Sequence, residues 1–318
     1  METAHGTYPV EILVEDSRSD PDRAAAVASD LIADAGVDLL LVAATAATVN
    51  PVSDVCEREG VPCISTMVPW QTWFFGREGD PNAPFRFTHH FFWGVEDVAA
   101  TYLDMWGAVR TDRTVGVLRP GIGRGFTEAV RRAGYTFTAP EDAEIVTGDP
   151  TGPDLAAFLG ARPRPPVVTA GRALLFEPTS EALGQDLSTE LWWSPDVPFK
   201  SSLKGWSAAE LADAYTQAGG RRWTQPLGYV HALFEVAIDV VKHADPADTQ
   251  SILDAIAATD LPTIVGPVSW RTGPVANVAR TQLAGGQWRH GDDGWDLEIV
   301  SNKAAPDIPT TSSMERIG

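Results

Sequence analysis

The sequence is poor in cysteine and in basic residues, and it has no long apolar run. Two cysteines among 318 residues cannot build a disulfide scaffold or a four-thiolate zinc site. Lys and Arg number 24 against 43 Asp and Glu, which gives a formal net charge of −19. A charge of that sign disfavours nucleic acid as a partner and docking on anionic lipid. Because no stretch approaches about 18 uninterrupted apolar residues, the sequence predicts no transmembrane helix.

The remaining composition is typical of a soluble globular protein. Hydrophobic residues make up 44% of the chain and charged residues 21%. The length predicts one large domain or two ordinary ones. The first eight residues have neither a basic start nor an apolar core, so they do not read as a signal peptide.

Short apolar segments alternate with amphipathic ones along most of the chain. Residues 10–15 are predicted to form a strand, and Asp20 followed by Pro21 is a strong helix start. Residues 37–43 form an unbroken apolar run, typical of a strand that is buried on both faces of a parallel sheet. This pattern predicts an α/β fold with doubly wound parallel sheets. Toward the C-terminus, antiparallel strands are predicted at residues 264–270, 278–284 and 295–300.

Motifs that would carry enzymatic chemistry are weak. The glycines of residues 121–125 are spaced G-x-G-x-G and do not follow the first strand, so a flexible loop competes with nucleotide binding. His89 and His90 are adjacent and point to opposite sides of a strand, which disfavours chelation of one ion. No G-x-S-x-G sequence is present. The sequence therefore predicts no catalytic group, no metal site and no cofactor.

The two cysteines, Cys56 and Cys63, are seven residues apart, one on a predicted helix and one on the following strand. A helix-to-strand turn can bring two cysteines within the Cα separation of about 7 Å that a disulfide needs. Two buried free thiols are the favoured interpretation.

The loops after predicted strands carry hydroxyls and aromatic rings. Thr45 and Thr48 lie where a buried strand meets a helix start, and backbone N–H groups there suit a carboxylate. The aromatic residues of the neighbouring loops either cover a core edge or wall a pocket. They are Trp70, Trp73, Phe74, Phe75, Phe91, Phe92 and Trp93.

Taken in order along the chain, five segments resemble the type I periplasmic solute-binding proteins, the leucine/isoleucine/valine-binding family of ABC importers. They are residues 14–21, 48–52, 60–65, 114–118 and 265–270. The resemblance implies two α/β lobes joined by crossover strands, with a ligand held in the cleft between them. Lobe one would be residues 1–111 plus 190–265, and lobe two 112–189 plus 266–318. The returning crossovers would lie near 190–194 and 265–267.

The resemblance also implies a function and a set of site residues. The protein would be no enzyme; it would capture a small amino acid or carboxylate-type ligand and hand it to the membrane permease of an ABC importer. Its location would be the periplasm or the outer face of a membrane, although a cytoplasmic protein or a truncated gene would explain the missing signal peptide. The implied ligand-binding residues are Thr45, Thr48, Ser65, Thr66 and Trp70 in lobe one, and Ile122, Asp149 and Arg172 in lobe two.

The chain departs from the family pattern, and one of these departures changes which ligand is expected. The family's first strand–helix unit, which normally precedes Val10, is absent, and the second lobe is shortened. Arg172 stands where an acidic residue would hold an ammonium group, so a carboxylate with an apolar or aromatic body is favoured over a zwitterionic amino acid. Two alternatives stay open: a nucleotide-dependent α/β enzyme using residues 121–125, and a truncated, non-binding paralogue with an open sheet edge that self-associates.

Overall fold

The computed structural model describes residues 1–119, 121, 123–291 and 294–317. The chain divides into two compact units, each assembled from three separate segments. Unit 1 comprises Met1–Gly94, Phe199–Ala208 and Pro226–Thr281, and unit 2 comprises Val95–Pro198, Ala209–Gln225 and Gln282–Gly318.

The helices start and stop where local signals in the sequence place them. The Asp20 carboxylate accepts the Arg23 N–H at the start of the first helix, so the predicted N-cap is confirmed. The helices are α1 Pro21–Ala33, α2 Ala46–Glu59, α3 Trp70–Phe74, α4 Val95–Gly107, α5 Gly123–Arg132, α6 Gly152–Gly160, α7 Glu177–Leu183, α8 Ala208–Gly219, α9 Pro226–His243 and α10 Thr249–Ala258.

The strands form two large sheets and two small antiparallel pairs, β1–β2 and β11–β12. The strands are β1 Glu2–Thr3, β2 Gly6–Thr7, β3 Leu40–Ala43, β4 Cys63–Thr66, β5 Thr88–Phe91, β6 Thr114–Leu118, β7 Thr136–Thr138, β8 Ile145–Gly148, β9 Val167–Ala170, β10 Ser188–Leu191, β11 Asp260–Thr263, β12 Gly266–Ser269, β13 Val278–Ala279, β14 Leu283–Gly291 and β15 Gly294–Ala304.

Unit 1 is built on a four-stranded parallel sheet in the order β13–β5–β4–β3. β3 and β4 are paired in register, with Ala43 opposite Thr66. Helices α1 and α2 pack against this part of the sheet through a core that contains Ala28, Leu40 and Val55. The carboxyl ends of β3 and β4 therefore lie side by side at one edge of the sheet, where ligand-binding loops of α/β proteins are found.

Unit 2 contains a seven-stranded sheet in the order β15–β14–β10–β9–β8–β6–β7. The strands from β7 to β10 are parallel, and β14 and β15 form an antiparallel hairpin against β10. The predicted α/β fold with parallel sheets is confirmed, as are antiparallel strands within residues 264–270 and 295–300. The antiparallel strand predicted at 278–284 is wrong at its start, because β13 pairs in parallel with β5.

The predicted strand at residues 10–15 is wrong. The described residues of this segment are in no strand, and Val10, Ile12 and Val14 are 51%, 64% and 84% exposed. A strand is stable only when its backbone pairs with a neighbour. A β-prone sequence is therefore not enough to form a strand at residues 10–15, because this segment pairs with no strand in the described part of the chain.

The unit boundaries differ from the expected lobe boundaries for reasons of packing. Helix α4 belongs to unit 2 because its Trp106 donates to Thr169 Oγ1 (3.0 Å) and its Thr101 donates to the Leu283 carbonyl (3.2 Å). Residues 266–281 belong to unit 1 because β12 pairs with β11 and β13 with β5. The chain passes between the units at residues 94–95, 198–199 and 281–282, with a further excursion at 209–225.

Candidate functional site

The N-terminus of α2 follows directly on the carboxyl end of β3. The Thr45 carbonyl accepts from the N–H groups of Thr48 (3.0 Å) and Val49 (2.9 Å) and from the Thr48 hydroxyl (3.1 Å). Thr45 is exposed and its own hydroxyl makes no capping bond within the described chain, whereas Thr48 is buried. The N–H groups of Ala46 and Ala47, as at every helix start, have no acceptor inside the helix. Since the fully described first turn of α2 contains no acidic residue, it presents N–H dipoles and a hydroxyl to an anion.

Ser65 is buried, and its hydroxyl is already engaged inside unit 1. Its Oγ lies 2.8 Å from Nδ1 of His90, whose Nε2 lies 2.7 Å from the Val68 carbonyl oxygen. A carbonyl can only accept, so Nε2 carries the ring proton and Nδ1 accepts from Ser65. Burial lowers the pKa of His90 to about 3, which keeps the ring neutral near pH 7. From the sequence, His90 was weighed only as a metal ligand, because local sequence does not reveal that β5 pairs with β4 and places His90 opposite Ser65.

Thr66 and Trp70 also make internal hydrogen bonds. The Thr66 hydroxyl donates to the Phe91 carbonyl (2.7 Å), and the Trp70 N–H donates to the Trp93 carbonyl (3.1 Å). Of the seven loop aromatics, Phe75 is 51% exposed and the other six are buried. Covering the core edge is therefore the main role of these rings. The structure brings Thr45, Thr48, Ser65 and Thr66 to neighbouring strand ends, with only Thr45 offering an exposed hydroxyl.

In unit 2, two of the predicted residues meet at the carboxyl ends of β8 and β9. Asp149 follows β8, and Arg172 opens a short 3-10 turn after β9. Arg172 Nε lies 3.7 Å from Asp149 Oδ1, with side chains 63% and 36% exposed. The third predicted residue, Ile122, lies outside the described residues. Arg172 and Asp149 form an open ion pair that a ligand bearing either charge can exchange with.

Gly148 allows β8 to approach β6 closely just before Asp149. Its φ is +134°, and a Cβ at this position would lie 2.1 Å from the Leu118 carbonyl oxygen. The Asp149 N–H then donates to the Arg119 carbonyl at 2.9 Å. This hydrogen bond fixes the backbone of Asp149 at the end of β8.

Glu190, on β10, is a site residue that sequence reasoning missed. Strands β9 and β10 are parallel, with Ser188 opposite Thr169, which brings Glu190 beside Gly171. A Cβ built on Gly171 would lie 2.7 and 2.8 Å from the two Glu190 carboxylate oxygens. An acidic group from the next strand therefore lies beside the loop that follows β9. The glycine at 171, which leaves room for a neighbouring side chain, is the signal that could have found it.

The electrostatic setting of Glu190 is unusual for a carboxyl group. Its pKa is raised from 4.5 to about 7, mainly by burial; the nearby Asp149 charge contributes to the rise, and hydrogen bonds from Tyr102 and Trp192 oppose it. The residue is 8% exposed. A buried carboxyl of this kind would gain a strong charge-assisted contact from a bound ammonium group.

In residues 1–119, 121, 123–291 and 294–317, no group of three or more His, Cys, Asp or Glu side chains could hold a metal ion. No helix in the same part of the chain combines the length and apolarity that crossing a membrane requires.

The sequence matches, over residues 2–161, a family model described as periplasmic binding protein. That span is half of the chain. No curated protein is similar enough in sequence to match it.

Two solved structures of similar fold are distant from this chain in sequence. The branched-chain amino acid transporter substrate-binding protein LivJ of Streptococcus pneumoniae, in complex with isoleucine, is 12% identical, with a TM-score of 0.69 over 96% of this chain and 87% of LivJ. A solute-binding protein of an ABC transporter from Rhodopseudomonas palustris, in complex with 3,4-dihydroxybenzoic acid, is 13% identical, with a TM-score of 0.72 over 92% of this chain and 85% of that protein. At these identities the likeness establishes the fold.

Proposed function

Because the chain belongs to the periplasmic binding protein family, we propose that it binds a small carboxylate-bearing solute and delivers it to the permease of an ABC importer. Solute binding is the family's role; the carboxylate, the permease and the absence of an enzymatic step are proposals. The observation that carries the carboxylate is the start of α2. There the exposed Thr45 hydroxyl and the first N–H groups of the helix face outward with no acidic residue in that turn.

Two of the related structures differ in the ligand they contain, isoleucine in one and 3,4-dihydroxybenzoic acid in the other. Both molecules carry a carboxylate, which supports recognition of that group. They differ in what lies beyond it, an ammonium group or a phenolic ring. In this chain the residues that would recognise the second group are Asp149, Arg172 and Glu190 of unit 2.

We favour a carboxylate with an apolar or aromatic body, with Arg172 making an additional contact to an anionic or phenolic oxygen. A charge-assisted hydrogen bond is worth roughly 1.5–3 kcal/mol, or about one to two decades of affinity. To make this contact, Arg172 must leave its ion pair with Asp149. Because the two groups are 3.7 Å apart and exposed, breaking the pair costs little free energy.

A specific observation favours a second candidate, an amino acid. Glu190 provides a buried carboxyl beside Gly171, near the position where the family resemblance expects an acid for the ammonium group. An ammonium ligand would shift this group to its charged form and lower its pKa from about 7.

Calorimetric titration of Arg172→Ala and Glu190→Gln distinguishes the two ligand classes. Arg172→Ala should weaken an aromatic carboxylate by about one to two decades and leave leucine or isoleucine unaffected. Glu190→Gln should weaken the amino acids and spare the aromatic carboxylate. Arg132→Ala, at the far end of α5 and 72% exposed, is the matched charge-removal control. Tight leucine binding that Arg172→Ala leaves unchanged would overturn the favoured ligand class.

The family acts outside the cytoplasmic membrane, and we propose the periplasm or the cell exterior for this protein. Fractionation of cells that express the gene from its own locus tests the location. Recovery of the protein with cytoplasmic markers would contradict it.

A further inference from the structure

Cys56 and Cys63 are brought together by the way α2 ends. Cys56 lies in the last turn of α2, and Cys63 is the first residue of β4. Gly60 takes the left-handed conformation, with φ +77°, and the N–H groups of Gly60 and Val61 donate to the Cys56 carbonyl at 2.9 and 3.0 Å. The chain therefore reverses within a few residues and returns Cys63 to the side of Cys56. Both thiols are free and fully buried, so the favoured prediction of two buried thiols is confirmed.

The two thiols are in direct contact. They are hydrogen-bonded to each other and share one core cluster with Leu40, Val52 and Val55. This hydrogen bond, together with burial, raises the pKa of the Cys63 thiol well above its usual value. The core cluster around the pair is aliphatic, and Ser53 and the Arg77 charge also act on Cys63, lowering its pKa.

We propose that Cys56 and Cys63 form a reversible intramolecular disulfide that fastens the end of α2 to the start of β4. The turn at Gly60 and the shared core cluster keep the two cysteines as neighbours, which a disulfide requires. The closed loop is short and contains Pro62, so little chain has to be rearranged.

The oxidant is a second disulfide, either a small molecule or a protein. The thiolate of one cysteine attacks one of its sulfurs, forming a mixed disulfide and releasing one thiol. The other cysteine then loses its proton and attacks the protein sulfur of that mixed disulfide, which releases the second thiol. The protein loses two hydrogens and two electrons, and the oxidant is reduced to two thiols.

Burial determines when this reaction occurs. Both side chains are 0% exposed, so an oxidant reaches them during folding or local opening of the turn. The test is therefore made at equilibrium. The full chain is refolded in buffers of graded reduced-to-oxidised glutathione ratio, quenched with acid and alkylated, and the Cys56–Cys63 link is quantified by peptide mass.

The same titration is run on the chain held unfolded in urea. If the native fold favours the disulfide, the equilibrium constant for its formation should be at least about tenfold higher in the folded chain than in urea. By thermodynamic linkage, the ratio of these two constants equals the factor by which the disulfide stabilises the fold. Cys56→Ser, which can form only mixed disulfides with glutathione, gives the baseline. An equilibrium constant no higher in the folded chain than in urea, or a folded product dominated by glutathione adducts, would overturn the proposal. Neither outcome depends on a ligand or on whether the single variant folds.

Discussion

Glu190 is a carboxyl group that the fold of unit 2 keeps in its protonated form up to about neutral pH. Burial is the main cause, and the neighbouring Asp149 charge adds to it. No ion pair involves Glu190 in the part of the chain that the structure describes. Removing the proton in the folded state therefore creates a buried charge that no cation offsets, which costs free energy.

The stability of the free protein should depend on pH through this residue. The unfolded chain releases the Glu190 proton near pH 4.5 and the folded chain near pH 7, so the folded state binds more protons between these values. The stabilisation is present below pH 4.5 and is lost as the pH rises to 7. Over that window the wild type should lose about 3 kcal/mol relative to Glu190→Gln, by the conversion of a pKa shift to free energy. Urea unfolding of both proteins at pH 5 and pH 8 measures the difference, and parallel pH profiles would contradict it.

Ser65 is predicted to matter for stability, since its hydroxyl supplies the hydrogen bond to the buried His90 Nδ1. Ser65→Ala leaves that nitrogen without a donor and should lower the free energy of unfolding by about 1–3 kcal/mol. Thr45→Ala is the control within the same candidate site. Because the Thr45 side chain makes no capping bond, its loss should change stability by less than about 0.5 kcal/mol while weakening carboxylate binding.

Chemical denaturation of the two variants, followed by ligand titration, separates these roles. Equal stability losses in Ser65→Ala and Thr45→Ala would show that the assignment is wrong.

At the scale of elements, close approach of β8 to β6 requires glycine at position 148. Gly148→Ala would place a methyl group 2.1 Å from the Leu118 carbonyl oxygen at a φ of +134°. The strain should cost at least about 1–3 kcal/mol. Gly160→Ala, at the end of α6 with open space around its Cβ position, is the control and should be neutral or stabilising by up to about 1 kcal/mol. Thermal unfolding midpoints of the two variants test this, and similar midpoints would contradict it.

Sequence patterns located most elements but not their partners. The N-cap at Asp20 and the apolar run of β3 were predictable because capping and burial depend on local sequence. Residues 10–15 are also β-prone but form no strand, since pairing depends on a neighbour that local sequence does not specify. The pairing of β5 with β4 was not predicted, because the polar Thr88-His89-His90 run does not indicate a fully buried strand.

The candidate site likewise contains residues that could be predicted from the sequence and one that depends on the folded sheet. Thr45 and Thr48 were predicted from the strand end and helix start that they join, whereas Asp149 and Arg172 were predicted from the family resemblance; all four stay candidates. Glu190 was not readable, since it depends on the register of β10 against β9 and on the space beside Gly171. Register is a property of the folded sheet, and a shift by one residue would turn Glu190 to the other face.

At the scale of the whole molecule, the two units carry candidate residues at the carboxyl ends of their own parallel strands. In unit 1 they lie at the start of α2, and in unit 2 they are Asp149, Arg172 and Glu190. With a net charge of −19, the protein repels anions at long range. The proposed carboxylate binding must therefore rely on short-range contacts such as those of the α2 N–H groups. Replacing the ligand's carboxylate with a neutral amide removes its charge and tests this dependence.

The measurement that tests the account most directly is calorimetric titration of the folded protein with matched pairs of carboxylate and amide. Isoleucine with its amide, and 3,4-dihydroxybenzoate with its amide, span the ligand classes found in the related structures. We expect saturable one-to-one binding of at least one carboxylate, with its amide weaker by about tenfold or more, and Thr45→Ala should reduce that preference. No binding by any of these compounds to a protein shown to be folded, or an amide that binds as tightly as its carboxylate, would contradict the account.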